Sequence, residues 1–419
     1  MSCGFKKSLL SITVAGLLIA PAAHATNGYF AHGYSMKEKA LAGAGAAYSQ
    51  DTLASANNPA GMVDVGDRMD VGAAIFAPSR QYTAGNPGIA ATFPLSPGTY
   101  ESSHDYFLIP SFGWNMMLDE TSSFGVAAYG NGGMNSNYPN VPGPGTFGAG
   151  TAGVNLAQLF INMSYAKKIN DKHALGASLI FAYQQFKADG LASLAGFSSD
   201  PNKLSNNGDD TSMGFGAKFG WQGQVAPSVA LGASYQTKMS MSEFDDYAGL
   251  FAEGGDFDIP AVLNLGVAWD INDKSKLLVD VQTIYYSGVA SISNPISKLA
   301  PGNLGTDDGA GFGWDDMTVV KVGYEWMMQS DMTWRVGLSN GSQPIPESEV
   351  LFNILAPGVI ETHLTFGFTK PLDANSELDF AFMYAPSNDV SGVNPQGDGQ
   401  TIELEMDQIE LGLSYAKKF

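Results

Sequence analysis

The sequence predicts an all-β protein: a 14-stranded antiparallel transmembrane β-barrel with a small N-terminal helical hatch (plug) inside the lumen. Three observations support this fold class. Many segments alternate strictly between apolar and polar residues, the connections between them alternate between short and long, and a secretory signal precedes them. We therefore expect a signal peptide over residues 1–25, the hatch over 26–65 and the barrel over 66–419.

The first 25 residues have the features of a secretory signal peptide. Lys6-Lys7 precedes an apolar run over Leu9–Ala20, and Ala23-His24-Ala25 matches an A-x-A cleavage pattern. The run is too short to cross a bilayer comfortably, and no later stretch offers ~18 consecutive apolar residues. Cys3, the only cysteine, leaves with the signal, so the mature chain has no disulfide or thiol chemistry. We expect export, cleavage after Ala25 and a final location in the bacterial outer membrane.

The alternating segments have one aliphatic face, with aromatic residues towards the strand ends, and one face of small and polar residues. In Leu156–Tyr165, for example, Leu159, Ile161 and Met163 alternate with Asn162 and Ser164. A soluble sandwich and a membrane barrel share this period, but repetition at membrane-spanning length behind an export signal favours the barrel. The predicted strands, an even number, lie near 66–80, 104–118, 122–134, 154–168, 172–187, 212–224, 227–242, 259–271, 275–287, 315–329, 332–342, 360–370, 374–388 and 405–419.

The connections alternate in length, as in outer-membrane barrels, which have short turns on one side and long loops on the other. The short turns are predicted at Asp119–Thr121, Asn170–Asp171, Ala226, Asn272–Lys274, Ser330–Asp331 and Asp373. The long links, rich in Gly, Pro, Asp and Asn, are predicted at 81–103, 135–153, 188–211, 243–258, 288–314, 343–359 and 389–404. The chain ends on Phe419 in an amphipathic strand, the type of strand that outer-membrane barrels present to the barrel assembly machinery.

The formal net charge of −20 argues against nucleic acid as a partner, because nucleic acid requires a basic surface. Two acidic patches lie in or beside long loops, over Asp245–Asp258 and Asp307–Asp316, and neither has EF-hand spacing. They are either solvated loop charge or loose divalent-cation sites that bridge to a phosphorylated surface such as lipopolysaccharide. We assign no cofactor and no defined metal site, and we expect a monomer.

No motif supports catalysis, and we expect no enzymatic activity. Gly337–Gly341 matches G-x-S-x-G, but that motif requires a strand–turn–helix context, and here it ends a strand and runs into Pro344 and Pro346. The four histidines outside the signal are far apart in the sequence: His32, His104, His173 and His363. We therefore interpret them as isolated surface or lumen residues.

Aromatic and apolar residues occur where a polar lumen does not favour them. Tyr29 and Phe30 begin the mature chain, and Phe160 and Ile180 point to the inner face of their strands. The loops hold further apolar residues: Phe93, Phe147, Phe197, Phe244, Leu250, Phe251, Phe312, Leu351 and Phe352. These loop residues either form a docking groove for an apolar ligand or pack against one another.

The segment from Asn27 to Met62 differs from the strands, being rich in Ala, Gly and Ser. Ser35–Glu38 is a capping box, which predicts a helix that continues from Lys39 to Ala47 despite two glycines. Asp51 is expected to cap a second turn over Thr52–Ala56, which ends where Pro59 forces Asn58 out of the helical region.

The chain resembles the FadL/TodX family of outer-membrane transporters of long-chain fatty acids and aromatic hydrocarbons. The resemblance rests on Gly43–Ala47 and Asn58–Met62 in the hatch, on Phe124–Gly130, on Ile259–Ala261 with Tyr285–Ser287, and on Trp314–Pro346. We take Asn57, Asn58 and Pro59 as the hatch signature.

The resemblance implies a route for the substrate. A hydrophobic compound lands in a groove among the external loops, passes to a tighter site beside the hatch, and leaves through a wall opening at a kinked third strand. Here the kink would fall on the glycine-rich stretch Tyr129, Gly130, Asn131, Gly132 and Gly133. The ligand contacts would be Tyr29, Phe30, Phe160 and Ile180.

We therefore predict passive uptake of fatty acids or hydrocarbons, with lateral release into the outer-membrane lipid. A general or solute-specific porin is the alternative, and the hatch argues against its open lumen. A lipid hydrolase and a purely structural or adhesive barrel are weaker alternatives. The sequence does not select between a carboxylate and an arene as substrate, although its three arginines, Arg68, Arg80 and Arg335, limit the choices for a carboxylate clamp.

Overall fold

A computed structural model describes residues 27–139, 146–148, 150–328 and 331–419. Its main sheet contains 16 strands, two of which, Gly98–Glu101 and Ser240–Met241, are short additions outside the wall. The remaining 14 strands form the predicted barrel. They are β1 Arg68–Ala84, β2 Phe107–Asp119, β3 Ser122–Asn135, β4 Gly153–Asn170, β5 His173–Asp189, β6 Asp210–Ala226, β7 Val229–Gln236, β8 Val262–Asn272, β9 Ser275–Ile284, β10 Met317–Met327, β11 Thr333–Gly341, β12 Thr362–Asp373, β13 Ser376–Val393 and β14 Thr401–Lys418.

The barrel is closed, because β14 pairs antiparallel with β1 from Arg68↔Lys418 to Ala84↔Ile402. Every other strand pairs with its sequence neighbour, so the sheet is an antiparallel meander. The connections alternate as predicted, with turns as short as two residues at one rim and long loops at the other. We call the long-loop side the external rim.

The wall has the reversed polarity of a membrane barrel. Leu179 and Phe219 are 50% and 55% exposed on the outer face, whereas their strand neighbours Ser178 and Lys218 are 4% and 3% exposed inside. Outward aromatic side chains cluster towards the short-turn rim, where Trp334 lies 5.4 Å from Phe368 (ring centroids). This arrangement resolves the ambiguity of the period-two pattern in favour of the membrane barrel.

Most predicted strands match the structure, but several boundaries were wrong. The segment predicted as one strand over 227–242 divides, because β7 ends at Gln236 and Ser240–Met241 pairs with Gly214–Phe215 of β6. The loop predicted at 389–404 is instead largely a hairpin, since β13 and β14 stay paired as far as Val393↔Thr401. No described helix is long and apolar enough to cross a membrane.

The N-terminal segment lies inside the lumen, where it packs against inward-facing side chains of the wall. A four-residue α-helix (α1, Met36–Lys39) begins at Ser35, whose Oγ accepts a hydrogen bond from Glu38 N at 3.1 Å. The predicted continuation to Ala47 was wrong, because Ala42 and Gly43 have φ of 55° and 82° and turn the chain into a left-handed conformation.

Two 3₁₀ helices follow in the hatch. Asp51 caps Thr52–Ala56 as predicted, accepting a hydrogen bond from Leu53 N at 3.0 Å. The helical stretch ends before Pro59 as predicted, since Asn58 is extended with φ of −139° and ψ of 107°, and Pro59 is also the first residue of a second 3₁₀ helix, Pro59–Asp64. The first helical position suits proline, because the N–H that it lacks would have no partner in the helix. The expected signal peptide and its cleavage site lie outside the described residues.

Candidate functional site

An aromatic cluster surrounds the first described residues inside the barrel. Tyr29 and Phe30 are 0% and 1% exposed, and their ring centroids lie 5.0 Å apart. Tyr286 lies 5.5 Å and Trp314 6.1 Å from Tyr29, and both come from the long segment between β9 and β10. Trp314 is oriented by Asn353, whose Oδ1 accepts the indole N–H at 2.6 Å. The cluster is therefore a buried apolar interior with fixed geometry, and apolar and aromatic side chains of this kind predominate in ligand pockets.

The start of the hatch docks onto β3 as a short extra strand. Phe30 bridges Gly132, Ala31 N donates to Asn131 O at 2.8 Å, and Gly133 N donates to Tyr29 O at 3.1 Å. A β-carbon at Gly132 would lie 1.8 Å from Tyr29 O, so this close approach requires glycine. The glycine-rich stretch of β3 thus allows the start of the hatch to pair with the inner side of the wall.

The wall has a gap beside this docking point. The pairing of β2 with β3 stops at Ser111↔Tyr129, although both strands continue towards the external rim. Pairing of β3 with β4 continues to Asn135, but its register shifts by one residue between Gly130 and Gly132. The ends of β2 and β3 nearest the external rim are therefore not paired with each other. We call this unpaired seam in the wall, between Phe107–Pro110 of β2 and Gly130–Asn135 of β3, the lateral gap.

A small cavity of about 10 Å³ lies at the lateral gap. Its wall side is formed by Ile109, Pro110, Ser111, Tyr129 and Gly130. Its floor is the hatch, including Tyr34, whose ring lies 4.7 Å from that of Tyr129. The gap is therefore closed from inside by aromatic and hatch side chains rather than by backbone pairing.

A second apolar cavity, which we call the outer pocket, lies among the external loops. It encloses about 30 Å³. Its lining comes from four long loops and the adjoining ends of β4 and β5: Val154, Phe186, Leu194, Leu250, Phe251, Ser291, Leu304, Ala310, Gly311, Phe312, Phe352 and Leu355. Because a cavity of ~150 Å³ is known to hold benzene, the outer pocket is contracted, and its side chains must separate to admit a ligand.

The hatch is held by charged side chains of the wall. Lys37 pairs with Glu377 at 2.5 Å, and Lys39 forms a buried salt bridge with Glu410. Asp280 accepts hydrogen bonds from the backbone of Gly45 and Ala46 at 2.8 and 2.9 Å. Such paired and desolvated groups fix the orientation of the hatch in the lumen.

The predicted signature residues contact the wall directly. Asn58 Nδ2 donates to Ala46 O at 2.6 Å and to Trp221 O at 3.0 Å, so it links two parts of the chain. Asn57 O accepts from Ser234 Oγ at 2.6 Å. Pro59 lies over two paired wall glycines, Gly176 and Gly220, where a β-carbon would clash with the hatch. The signature therefore lies at the contact between hatch and wall.

Within the hatch, Glu38 is buried without an ion pair among the described residues. Burial, followed by the nearby Asp51 carboxylate, raises the pKa of Glu38 to about 8. One carboxylate oxygen accepts a hydrogen bond from Tyr34 N at 3.3 Å. Glu38 is therefore a proton-binding group at neutral pH in the folded hatch.

The structure places the four predicted ligand residues in one apolar cluster. Phe160 and Ile180 are buried with Tyr29 and Phe30, and the ring of Phe160 lies 5.9 Å from that of Tyr129. Sequence reasoning missed Tyr286, Trp314, Phe257 and Phe186, which line the same interior. Tyr286 and Trp314 lie within stretches that carry the family resemblance, and the local signal for both is an aromatic residue near a strand end beside a long loop.

The loop residues divide between two places. Leu250, Phe251, Phe312 and Phe352 line the outer pocket, and Phe244 packs on Phe251 with centroids 6.0 Å apart. Phe93 and Phe147 instead pack on each other elsewhere, 6.1 Å apart. Leu351 is buried, and Phe197 packs partly buried against the core. The loop residues therefore divide between those that line an apolar cavity and those that pack against one another elsewhere.

Two histidines that are distant in sequence meet in the lumen, contrary to the expectation of isolated residues. The His32 and His363 rings stack at 5.6 Å, and Ser339 Oγ lies 3.2 Å from His363 Nδ1. Ser339, the serine of the G-x-S-x-G match, belongs to strand β11 and to no strand–turn–helix elbow. The described residues include no cluster of three or more His, Cys, Asp or Glu side chains that could hold a metal ion.

Comparisons with known proteins agree with this architecture. Residues 17–419 match the family model of the outer membrane protein transport protein (OMPP1/FadL/TodX). Similar solved structures include the Pseudomonas putida toluene transporter TodX (18% identity, 93% of this chain and 99% of that chain, TM-score 0.67). A Pseudomonas aeruginosa FadL homologue (16%, 94% and 100%, 0.70) and the Ralstonia pickettii toluene transporter TbuX (18%, 93% and 99%, 0.64) are also similar. The comparison with curated proteins finds no match. The family model spans nearly the whole chain, and the chain belongs to the FadL/TodX family of outer-membrane transport proteins.

Proposed function

We propose that the protein is a passive channel that takes up hydrophobic compounds, such as long-chain fatty acids or hydrocarbons, across the outer membrane. The observation that carries the proposal is the lateral gap beside the buried Tyr29 and Phe30 cluster, above a lumen filled by the hatch. The fold's relatives include two named as toluene transporters and one named as a FadL homologue, which supports both substrate classes.

The route has three stages. The ligand enters the outer pocket, displaces its aromatic walls, and passes to the inner cluster, where Tyr29, Phe30, Phe160 and Ile180 bind it. It then leaves through the stretch Tyr129, Gly130, Asn131, Gly132 and Gly133 into the bilayer. The support is that the outer pocket and the cluster are apolar and that the cavity at the gap, whose lining is mixed and includes Lys39 and Ser111, lies beside them at the wall.

Lateral release fits the chemistry of the substrate. Lipopolysaccharide hinders apolar molecules at the surface, and a water-filled pore offers them no favourable contact. Passing directly from an apolar site into lipid keeps the ligand out of periplasmic water, so the hydrophobic effect drives release without an energy source. Asn57, Asn58 and Pro59 anchor the hatch, the floor of the binding site, to the wall.

The proposal includes the protein's processing and partners. Residues 1–25 form the signal peptide, cleaved after Ala25, residues 26–65 form the hatch, and residues 66–419 form the barrel. The barrel assembly machinery inserts the protein as a monomer among lipopolysaccharide and outer-membrane lipid. The protein performs no catalysis and requires no cofactor.

Reconstitution tests this function against the porin alternative. The intact protein and a variant lacking residues 26–62 are placed in liposomes, and ion conductance is measured with uptake of labelled oleate and toluene. We expect low conductance and saturable uptake for the intact protein, and high conductance for the hatch deletion. An intact protein that conducts ions like an open porin and takes up neither compound would refute the proposal.

A further inference from the structure

We infer that Asn131, Gln158 and Gln184, which we call the amide relay, are positioning residues that open the lateral gap when a ligand fills the outer pocket. This inference rests on the proposed function and adds a coupling between the first and last stages of the route. It depends on a chain of buried hydrogen bonds that runs from the outer pocket to the lateral gap.

The hydrogen bonds of the amide relay all run in one direction. The hydroxyl of Tyr34 donates to Asn131 Oδ1 at 3.0 Å, and Asn131 Nδ2 donates to Gln158 Oε1 at 2.9 Å. Gln158 Nε2 donates to Gln184 Oε1 at 2.6 Å, and Gln184 Nε2 donates to Phe257 O at 2.9 Å. Each amide accepts a hydrogen bond from one neighbour and donates one to the next, so no amide can rotate without unpairing its neighbours.

The amide relay is buried in an apolar part of the lumen. Asn131 and Gln184 are 0% exposed, and Gln158 is 1% exposed. Gln158 shares the inner face of β4 with Phe160, because residues two apart in a strand lie on one face. Gln184 likewise shares the inner face of β5 with Ile180. Leaving a buried amide without a partner is costly, because its lost hydration is not replaced, so the three amides keep or change their partners together.

The outer end of the amide relay depends on a wall of the outer pocket. Phe257, whose carbonyl accepts from Gln184, packs on Phe251 with ring centroids 4.9 Å apart. Phe251 lines the outer pocket, which is too contracted to hold an arene unless its side chains move. A ligand that displaces Phe251 therefore removes the support of Phe257, and with it the acceptor of Gln184.

The inner end of the amide relay holds the lateral gap shut. Asn131 is the extra residue at the register shift of β3, between Gly130 and Gly132. A β-bulge of this kind changes the direction of the side chain that it carries. The Asn131 side chain holds Tyr34, whose ring lies 4.7 Å from that of Tyr129 and lines the cavity at the gap. Release of this hydrogen bond frees Tyr34 to leave the gap.

The two ends are coupled through the pairing of the amides. While the outer pocket is contracted, the amide relay is fully paired and Tyr34 stays against Tyr129. When a ligand fills the pocket, Gln184 loses its acceptor and the amides change partners along the relay. This change withdraws Asn131 Oδ1 from the hydroxyl of Tyr34. Ligand binding and gap opening thus act on one two-state element, as coupling between two sites requires.

A cysteine at the lateral gap reports its opening. Pro110 lines the cavity at the gap, and the chain's only cysteine is Cys3, in the expected signal peptide. The single cysteine of Pro110→Cys, the parent for all variants, is therefore labelled selectively with a maleimide in neutral maltoside detergent. We expect saturating toluene to raise the labelling rate of the parent at least about 10-fold. Oleate is measured in parallel as a second ligand.

Two substitutions break the amide relay at opposite ends. Gln184→Met keeps the side-chain volume and removes both hydrogen bonds of this side chain, and Tyr34→Phe keeps the ring and removes only the hydroxyl. Without ligand, both variants should be labelled about 10-fold faster than the parent, and toluene should add less than about 2-fold. Both should also bind toluene about 10-fold more tightly, because coupling is reciprocal and binding no longer has to break the relay.

A matched control separates coupling from general loosening of the barrel. Ser164 and Ser178 are hydrogen-bonded at 2.7 Å on the inner face of the same two strands, β4 and β5, and lie outside the amide relay. Ser164→Ala with Ser178→Ala should be labelled and should bind toluene like the parent. Heat-modifiable electrophoretic mobility reports whether each variant is a folded barrel. If Gln184→Met does not fold, Tyr34→Phe decides.

The outcomes distinguish this inference from the proposed function. If a ligand binds without changing the labelling of the parent, or if the folded relay variants respond like the parent, the coupling is refuted and uptake of apolar compounds stands. If the serine control changes as much as the relay variants do, general loosening explains the effect and the coupling is again refuted. If the parent neither binds nor takes up toluene or oleate, the proposed function fails, and the coupling fails with it.

Discussion

Substitution of Gly132 by alanine tests whether the docked start of the hatch forms the ligand site. The new β-carbon would lie 1.8 Å from Tyr29 O and 2.8 Å from Tyr29 C, and both are backbone atoms. The hatch must therefore move by more than an ångström, which breaks the hydrogen bonds of Ala31 N and Gly133 N across this contact. Overpacking of this kind costs about 1–3 kcal/mol. A cost of about 2 kcal/mol reduces the docked population relative to the undocked one roughly 30-fold.

Docking of the hatch start onto β3 is favourable by several kcal/mol relative to the undocked state. Each of the two hydrogen bonds contributes about 1 kcal/mol. Burial of Tyr29 and Phe30 adds roughly 1.5–3 kcal/mol for each ring. The cost at Gly132 is smaller than this sum, so Gly132→Ala should loosen the hatch start without expelling the whole hatch.

Proteolysis and uptake measure the effect in reconstituted protein. Gly132→Ala leaves the docked state favoured, so it should raise the rate of cleavage near Tyr29 by added protease roughly 30-fold, in proportion to the undocked population. Uptake of labelled toluene and oleate should slow, because the new β-carbon displaces the docked segment. Gly196→Ala is the matched control, since a β-carbon at this loop glycine has open space around it. If Gly132→Ala takes up both compounds as fast as Gly196→Ala and its hatch stays protected, the docked segment is not part of the site.

Three further predictions concern the hatch and the outer pocket. Lys39→Met leaves Glu410 buried and unpaired, so the free energy of unfolding should fall by about 3–5 kcal/mol in a denaturant titration, whereas the double variant Lys39→Met, Glu410→Met should regain most of it; equal losses in both would contradict the pairing. The folded-state pKa of Glu38 is about 8, above its ordinary 4.5, so the folded hatch holds a proton that the unfolded chain releases, and stability should fall as the pH rises from about 4.5 to about 8. Glu38→Gln should flatten this decline in thermal unfolding between pH 5 and pH 9, and an unchanged slope would show that Glu38 does not cause it. Phe251→Ala removes a wall of the outer pocket and should weaken initial capture of toluene about 10-fold, as measured by binding, while Phe93→Ala, outside the pocket, should have no effect.

The barrel could be predicted from sequence because its signals are local. Alternation along Leu156–Tyr165 and the two-residue turns depend on neighbouring positions alone. The strand boundaries that were predicted wrongly share one cause: they depend on pairing with residues that are distant in the sequence. Beyond Gln236 the chain leaves β7, and Met239 forms a bridge with the distant Ile259. The hairpin of β13 and β14 is long because β14 also pairs with β1, as far as Ala84↔Ile402.

The site was only partly predictable, because it is assembled from residues distant in sequence. Tyr29 and Phe30 stood out by their position in a polar context, but nothing local pairs Tyr29 with Tyr286 or His32 with His363. The lateral gap was expected from glycines in β3. Its geometry also depends on where pairing with β2 ends, and this is a property of two strands together.

A cross-link across the lateral gap tests the central claim most directly, that the ligand leaves through the wall. The chain's only cysteine is Cys3, so engineered pairs can be oxidised selectively. Pro110→Cys with Gly130→Cys joins β2 to β3 one residue beyond the last pair, Ser111↔Tyr129. Phe112→Cys with Ala128→Cys is the control, because it joins residues that are already paired.

Uptake of labelled toluene and oleate is followed in liposomes for both pairs, oxidised and then reduced. Lateral release predicts that oxidation of the gap pair blocks uptake, that reduction restores it, and that the control pair takes up both compounds in either state. Undiminished uptake through a fully oxidised gap pair would contradict the account and indicate a route along the barrel axis.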